Sequence, residues 1–195
     1  MFHQHEVIDG RVPPGRRGQG QTRRIDRVAS LADVFRVLSQ MREEGVVTDY
    51  AIGGATAVLF YAEPTRTYDV DVFALLPTVG QSLLVSLAPV YRWAESQGFT
   101  VDAEHVLVHG VPVHILPAYN ALVIDAIHTA RVFEYQGIPV RVVDPEHLIA
   151  LALQAGGARR RERAWLLLQT GIVDRPRVRA LLDVHGIHVE IPADD

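Results

Sequence analysis

Apolar residues follow two different periods along this chain, and the two periods alternate in its first half. From residue 31 onward, apolar side chains recur every third or fourth residue, which predicts an amphipathic helix over residues 31–45. The apolar triplet Tyr50-Ala51-Ile52 predicts a short buried strand, and the alternation over residues 68–76 predicts a second strand. Between the two strands, Gly53-Gly54 predicts a tight turn into a helix over residues 55–61.

The later segments show the same two periods in a different order. Asp144-Pro145-Glu146 has the acid-proline-acid order that is typical of a helix start. Helices are predicted over residues 80–98, 120–130, 145–155, 159–169 and 176–184, and hairpin strands over 104–108 with 111–116 and over 133–135 with 140–142. Strands and helices alternate first, and helices come last. The predicted fold class is therefore α/β (α+β), a mixed β-sheet flanked by helices with a helical C-terminal part.

Composition divides the chain into three parts. Residues 10–24 hold four glycines, two prolines and five arginines, so residues 1–27 are predicted to be a mobile tail. The arginines of this tail are available to touch RNA or DNA, but a solvated leader or an overlong gene start explains them more simply. Residues 28–130 are predicted to form the core, and residues 131–195 a β-hairpin with a helical region packed on that core.

The residue types that are missing exclude several kinds of chemistry. The chain has no cysteine, which excludes disulfides, thiolate nucleophiles and cysteine-bound zinc or iron–sulfur sites. All 19 basic residues are arginine, so lysine-based catalysis is excluded and phosphate contacts must use guanidinium or backbone N–H groups. The net charge of -4 does not favour nucleic-acid binding by the whole molecule. No apolar run approaches the ~20 residues of a membrane helix, so we expect a cytoplasmic protein without a membrane partner.

Two acids lie two residues apart in the second predicted strand. Because side chains alternate between the faces of a strand, Asp69 and Asp71 are predicted to point the same way, with Tyr68, Val70 and Val72 pointing into the core. Neighbouring carboxylates repel each other unless a cation lies between them. Mg²⁺ takes oxygen ligands from one or two carboxylates and from substrate phosphates, so the pair predicts a site for Mg²⁺ (or Mn²⁺). A lone pair of this kind also occurs on solvated edge strands.

The glycine pair adds a second feature of the same kind of site. Gly53 and Gly54 have no Cβ atoms, so a phosphate can approach the backbone closely at this turn. The helix that they open offers free N–H groups to an anion. A glycine pair alone is usually only a turn. A strand, a glycine turn and a helix, followed by a strand that carries two acids, together favour a site for a nucleotide and a metal.

These residues resemble a known superfamily. Ile52-Gly53-Gly54-x-x-Ala57 with Thr67-x-Asp69-x-Asp71 is similar to the nucleotidyltransferases, and among them to the abortive-infection toxin-type and related minimal nucleotidyltransferases. The resemblance implies metal-dependent transfer of a nucleoside monophosphate from a nucleotide triphosphate to a hydroxyl acceptor on a protein, an RNA or a small molecule. It also implies the toxin or enzyme half of a bacterial two-gene system, with a cognate partner protein.

The resemblance assigns roles to individual residues. It places the metal ligands at Asp69 and Asp71, which are also predicted to be catalytic, and nucleotide contacts at Gly53, Gly54 and Thr67. Arg66, directly before Thr67, is assigned to the nucleotide as well.

The chain departs from the superfamily pattern at the third acid. The matching position is His114, which we predict to be catalytic and to point into the same cleft as the two aspartates. Glu104 and Asp125 are alternative third acids if this alignment is shifted. The basic run Arg159-Arg160-Arg161-Glu162-Arg163 either faces a triphosphate or an RNA backbone, or forms a solvated helix face. The missing third acid leaves an alternative function, a catalytically silent module that binds a nucleotide, an RNA or a partner protein.

Overall fold

The computed structural model describes residues 30–62, 67–77, 86–189 and 191, which form seven strands and seven helices. The strands are β1 (Asp49–Ile52), β2 (Val70–Leu75), β3 (Thr100–Asp102), β4 (His105–Val108), β5 (Val111–Pro117), β6 (Arg131–Tyr135) and β7 (Ile138–Val142). The helices are α1 (Leu31–Glu43), α2 (Gly54–Val58), α3 (Ala88–Ser96), α4 (Ala121–His128), α5 (Pro145–Ala155), α6 (Ala158–Leu168) and α7 (Arg175–Val184).

All described strands belong to one mixed sheet, in the order β3-β4-β5-β2-β1-β7-β6. Strand β2 runs antiparallel to β1 and parallel to β5, and β1 runs parallel to β7. The predicted α/β (α+β) class, with a mixed sheet, flanking helices and a helical C-terminal part, is confirmed. The hairpin of β6 and β7 extends the same sheet, so a division of the chain at residue 130 stays a prediction.

The two faces of β2 carry different side chains. Val70 and Val72 are buried on one face. Helix α1, which contributes the fully buried Phe35, packs against β1, β4, β5 and β7. Burying a side chain of this size stabilises the fold by about 1.5–3 kcal/mol. Asp71 and Phe73 alternate with these valines and point to the opposite face. Helix α4 packs against β1 and β2, and α5 packs against α4. Every described helix is too short or too polar to span a bilayer.

The prediction that Tyr68 points into the core is wrong. Strand β2 begins only at Val70, and the side chain of Tyr68 is 78% exposed. The cause is local hydrogen bonding, because the hydroxyls of Thr56 and Thr67 both donate to the carbonyl oxygen of Asp69, at 3.0 and 2.9 Å. That carbonyl is therefore taken by side chains, and regular pairing with β5 starts one residue later.

Other boundaries differ from the predictions by smaller amounts. The helix predicted over 55–61 ends as α2 at Val58, whereas α5 has the predicted bounds. Strand β3 was not predicted, since three residues carry too little periodicity to be recognised. The tail over residues 1–27 and the first part of the helix predicted over 80–98 lie outside the described residues.

A buried charged network joins the start of α5 to α4 and α7. Asp144 caps α5 by accepting a hydrogen bond from the backbone N–H of His147 at 2.8 Å. The His147 ring, which is 1% exposed, lies 2.8 Å from Asp144 Oδ1 and 3.0 Å from Asp125 Oδ2. Arg177 of α7 donates to Asp144 at 2.8 Å and lies 3.4 Å from Glu146. Breaking a buried network of this kind from one side is costly because it leaves uncompensated charge.

Opposite charges in this network shift two pKa values. Burial would raise the pKa of Asp144, but the hydrogen bonds from His147 and the charges of His147 and Arg177 outweigh it and lower the pKa to about 2. Burial would lower the pKa of His147, but the hydrogen bonds and charges of Asp144 and Asp125 outweigh it and raise the pKa above 6.5. The contribution of Asp144 to stability is thus lost toward pH 2, and that of His147 is lost as the pH rises through its raised pKa.

We predict that His147→Gln lowers the free energy of unfolding by about 2 kcal/mol near pH 6, because buried carboxylates lose a charged donor. The difference from wild type should narrow as the pH rises through the raised pKa of His147, because the wild-type ring then loses its proton. Urea unfolding at a series of pH values measures this, with His128→Gln, at an exposed histidine of α4, as the matched control. Parallel pH curves for wild type and His147→Gln would contradict a charged His147.

Candidate functional site

The glycine turn is attached directly to the strand that carries the acids. The backbone N–H of Gly53 donates to the carbonyl oxygen of Asp71 at 2.9 Å, which continues the pairing of β1 with β2. A Cβ atom added at Gly53 would collide with the ring of Phe73. One added at Gly54, whose φ is +56°, would collide with the carboxylate of Asp71. Only glycine fits at either position, so the backbone of the turn lies against Asp71.

The two predicted metal ligands line the same cavity. Asp71 is the second residue of β2, and Asp69 lies just before that strand. The hydroxyl of Thr67, which lies 2.9 Å from the Asp69 carbonyl and 3.3 Å from its Oδ1, holds Asp69 in place. Thr67, predicted to contact the nucleotide, thus forms a hydrogen bond with Asp69. Arg66 lies outside the described residues.

The negative charge of the acid pair is only partly balanced by its surroundings. Burial, and then the charge of Asp69, raise the pKa of the Asp71 carboxyl. His114 and the charge of Arg163 oppose this shift but do not cancel it. A pair of carboxylates with uncompensated charge is chemically suited to bind a divalent cation.

His114 stands beside Asp71 on the neighbouring strand. The parallel pairing of β2 with β5 places the two residues opposite each other, and His114 Nδ1 lies 3.5 Å from Asp71 Oδ1. On its other side, His114 Nε2 lies 3.7 Å from Glu104 Oε2. Of the alternative third acids, Glu104 therefore lies beside His114, and Asp125 lies 3.0 Å from His147 of the buried network.

The donor set suits an ion that takes part of its coordination shell from a substrate. In the described part of the chain, no group of three or more histidine, aspartate or glutamate side chains is arranged to hold a metal ion. Asp69 and Asp71 offer two carboxylates, which is the number that Mg²⁺ commonly takes from a protein when phosphates supply other oxygens.

The cavity has a volume of about 730 Å³ and lies between the sheet and the hairpin of α5 and α6. Its acidic side contains Asp69, Asp71 and His114. Its opposite side contains Arg159, Arg160 and Arg163 of α6. Arg161 does not line it, so the basic run has one face toward the cavity and one toward solvent, as expected for helical spacing.

The cavity arginines are free to bind a ligand. Within the described ranges, none of the three makes a hydrogen bond or an ion pair with another residue, although the charge of Arg163 acts on Asp71. The sequence is compatible with either role of the basic run over residues 159–163, because the arginines that face inward depend on how α6 packs against α5. The cavity therefore presents carboxylates on one side and unpaired guanidinium groups on the other.

We predict that Gly54→Ala destabilises the protein by about 3 kcal/mol, the sum of a left-handed backbone for alanine and a collision with Asp71. Gly45→Ala is the matched control, because Gly45 has a φ of +70° and open space around a Cβ, and it should lose only about 1 kcal/mol. Denaturant unfolding of both variants measures the difference. Equal losses would show that the turn does not press on Asp71.

Solved structures with the same fold include two nucleotidyltransferase-related proteins. A solution structure of the antibiotic-resistance factor ANT(2'')-Ia matches with a TM-score of 0.50 and 16% identity, over 80% of this chain and 90% of that one. A crystal structure of an antigenic nucleotidyltransferase-like protein from Paracoccidioides brasiliensis matches with a TM-score of 0.51 and 15% identity, over 80% of this chain and 88% of that one. At such identities the likeness establishes the fold. Among curated proteins, none matches the sequence.

A family assignment rests on a longer match in sequence. Residues 30–170 match the family described as "Nucleotidyl transferase of unknown function (DUF2204)". The matched range runs from α1 to the end of α6, and it includes the whole sheet, the glycine turn, both acids and the cavity arginines. The chain is therefore a member of this nucleotidyltransferase family.

Proposed function

We propose that this protein is an enzyme that transfers a nucleoside monophosphate from a nucleotide triphosphate to a hydroxyl group. One observation carries the proposal: a single cavity contains the acids Asp69 and Asp71, the second of them packed against a glycine turn, and across from them arginines that have no partner among the described residues. A nucleotide triphosphate with a divalent ion carries charges that match both sides, because the ion matches the carboxylates and the phosphates match the arginines.

Each side of the cavity has a separate task in this reaction. Asp69 and Asp71 would hold Mg²⁺ or Mn²⁺, which would neutralise charge on the phosphates. The backbone of Gly53 and Gly54 lets the phosphates approach closely, and Arg163 pairs with them as a guanidinium. The acceptor hydroxyl loses its proton to solvent as its oxygen bonds to the α-phosphorus, the bond from that phosphorus to the oxygen bridging to the β-phosphate breaks, and pyrophosphate leaves with that oxygen.

His114 weakens the site for Mg²⁺ relative to a site with three acids. It occupies the place that the superfamily resemblance gives to a third carboxylate, 3.5 Å from Asp71. A neutral imidazole brings a lone pair and no negative charge. Nitrogen ligands suit Mn²⁺ better than Mg²⁺, so we propose Mn²⁺ as the preferred ion.

For the acceptor, we propose a small hydroxylated molecule, by analogy with the antibiotic-resistance factor that shares the fold. A protein side chain and an RNA end are the alternatives. The toxin-type role in a bacterial two-gene system, its partner protein and a cytoplasmic location stay predictions from the sequence. The rival function, a silent nucleotide-binding module, predicts binding without transfer.

The decisive experiment uses nucleotide triphosphates labelled at the α-phosphate. The protein is incubated with each of them and Mg²⁺ or Mn²⁺, with itself, total RNA or a mixture of hydroxylated small molecules as acceptor. Label appearing in one acceptor class supports the enzyme and names the class. Binding of the triphosphate without transfer to any acceptor supports the silent module.

We predict that Asp69→Asn with Asp71→Asn abolishes the metal-dependent binding of nucleotide and leaves the free protein as stable as wild type or slightly more so. Wild type should gain about 2.7 kcal/mol when nucleotide is present at 100 times its Kd with the metal, and the double variant nothing. Asp102→Asn with Asp183→Asn removes the same charge at exposed positions and should gain as much as wild type. If the site variant shows the full gain, the acid pair is structural.

We predict that His114→Asp raises the affinity for Mg²⁺, because a third carboxylate joins the pair, and lowers stability when no divalent ion is present. Calorimetric titration with Mg²⁺ and unfolding in a chelator measure the two effects. His109→Asp adds the same charge to the exposed turn between β4 and β5, and it should change neither. Unchanged Mg²⁺ affinity in His114→Asp would remove His114 from the site.

A further inference from the structure

The cavity has a second end, away from the acids. Strands β2 and β5 run in parallel from the row of Asp71 and His114 to the row of Phe73 and Leu116, which lies about 7 Å farther along. Beyond that row, Tyr119 also lines the cavity. Because the glycine turn lies against Asp71, the turn and Tyr119 are at opposite ends of the cavity floor.

Helix α6 crosses the cavity from this second end toward the acids. Asn120, next to Tyr119, donates to Gln154 in the last turn of α5 at 2.9 Å. Residues 156 and 157 then lead into α6, whose first turn carries Arg159 and Arg160, so the path of the chain places these two arginines toward the end of Tyr119. Arg163 follows one helical turn later, about 6 Å along the axis, and its charge reaches Asp71.

The loop that carries Tyr119 is held firmly. The side chain of Asn120 accepts from the backbone N–H of Val123 at 2.9 Å, which caps α4, while its amide group binds Gln154. Tyr119 itself is 62% exposed, and within the described residues its hydroxyl has no hydrogen-bond partner. An aromatic ring exposed at the rim of a cavity, on a loop that is itself held, is suited to stack on another flat ring.

The charged groups at this end are hydrogen-bond donors. Arg159 and Arg160 each offer five N–H groups and no acceptor, and no described acid lines this end of the cavity. The middle of the cavity is lined by Phe73, Leu116 and the apolar face of α5. A base bound here meets a flat ring and guanidinium donors, which favour a base edge with two acceptors.

We infer that the end of the cavity at Tyr119 is a nucleobase subsite that selects guanine. The base stacks on Tyr119, and a guanidinium of Arg159 or Arg160 donates to its O6 and N7. The ribose spans the row of Phe73 and Leu116, and the α-phosphate lies at Asp71. Adenine presents an amino group in place of O6, so one of the two hydrogen bonds is lost and a donor meets a donor. This inference rests on the proposed function.

The test is calorimetric titration of the full chain with GTP, ATP, ITP and 7-deaza-GTP in the presence of Mn²⁺. ITP keeps O6 and N7 and should bind as GTP does, while ATP and 7-deaza-GTP should bind about tenfold more weakly. If ATP binds as tightly as GTP, the guanine subsite is overturned and the proposed function stands. If none of the four nucleotides binds in a metal-dependent way, both the guanine subsite and the proposed function are overturned.

Variants separate base recognition from phosphate binding. Arg159→Ala with Arg160→Ala should bring the ratio of GTP to ATP affinity to about one, while both nucleotides still bind with the metal. Arg161→Ala with Arg179→Ala, which removes equal charge outside the cavity, should keep the ratio. Tyr119→Ala should weaken all four nucleotides about tenfold and Tyr119→Phe none. If the first variant instead weakens GTP, ATP and inorganic tripolyphosphate equally, its arginines bind phosphate and the inference is overturned.

Discussion

Close packing of the Gly54 backbone against the Asp71 carboxylate sets the geometry on which the rest of the cavity depends. The contact follows from the antiparallel register of β1 and β2, which pairs Ile52 with Val72 and lets Gly53 donate to Asp71. Both strands lie in the middle of a seven-stranded sheet. A shift of register by one residue would turn Asp71 into the apolar core, so the site is as firmly placed as the sheet itself.

The acids and the arginines of the cavity are kept apart, whereas several charges elsewhere in the described structure are paired. Arg141 lies 3.1 Å from Asp49, and Arg177 lies 2.8 Å from Asp144. Across the cavity, Arg163 acts on Asp71 through its charge but forms no ion pair with it in the described structure. An ion pair would cancel both charges. Their separation leaves a carboxylate for a cation and a guanidinium for an anion, which is the condition for binding a metal and phosphates together.

Local patterns predicted most of the elements, and tertiary contacts decided what local patterns missed. Helix α5 follows its predicted bounds because cap, proline and apolar period all lie within it. The placement of Tyr68 failed because Thr56, thirteen residues away, takes the carbonyl of Asp69. The position of His114 beside Asp71 agrees with simple strand alternation. That Arg159 and Arg160 line the cavity could not be predicted from the sequence, because it depends on how α6 packs on α5. The chemical roles of these site residues stay predictions.

Guanidinium is the only side-chain cation of fixed charge that the chain contains, and this has a consequence for control of the cavity. Acetylation, which silences lysine-based phosphate sites by removing their charge, has no target on the arginine side of this cavity. A guanidinium group also keeps its charge throughout the physiological pH range. Regulation of anion binding by lysine acetylation is therefore excluded, and regulation by proton uptake must act on the acidic side or by moving α6 as a whole.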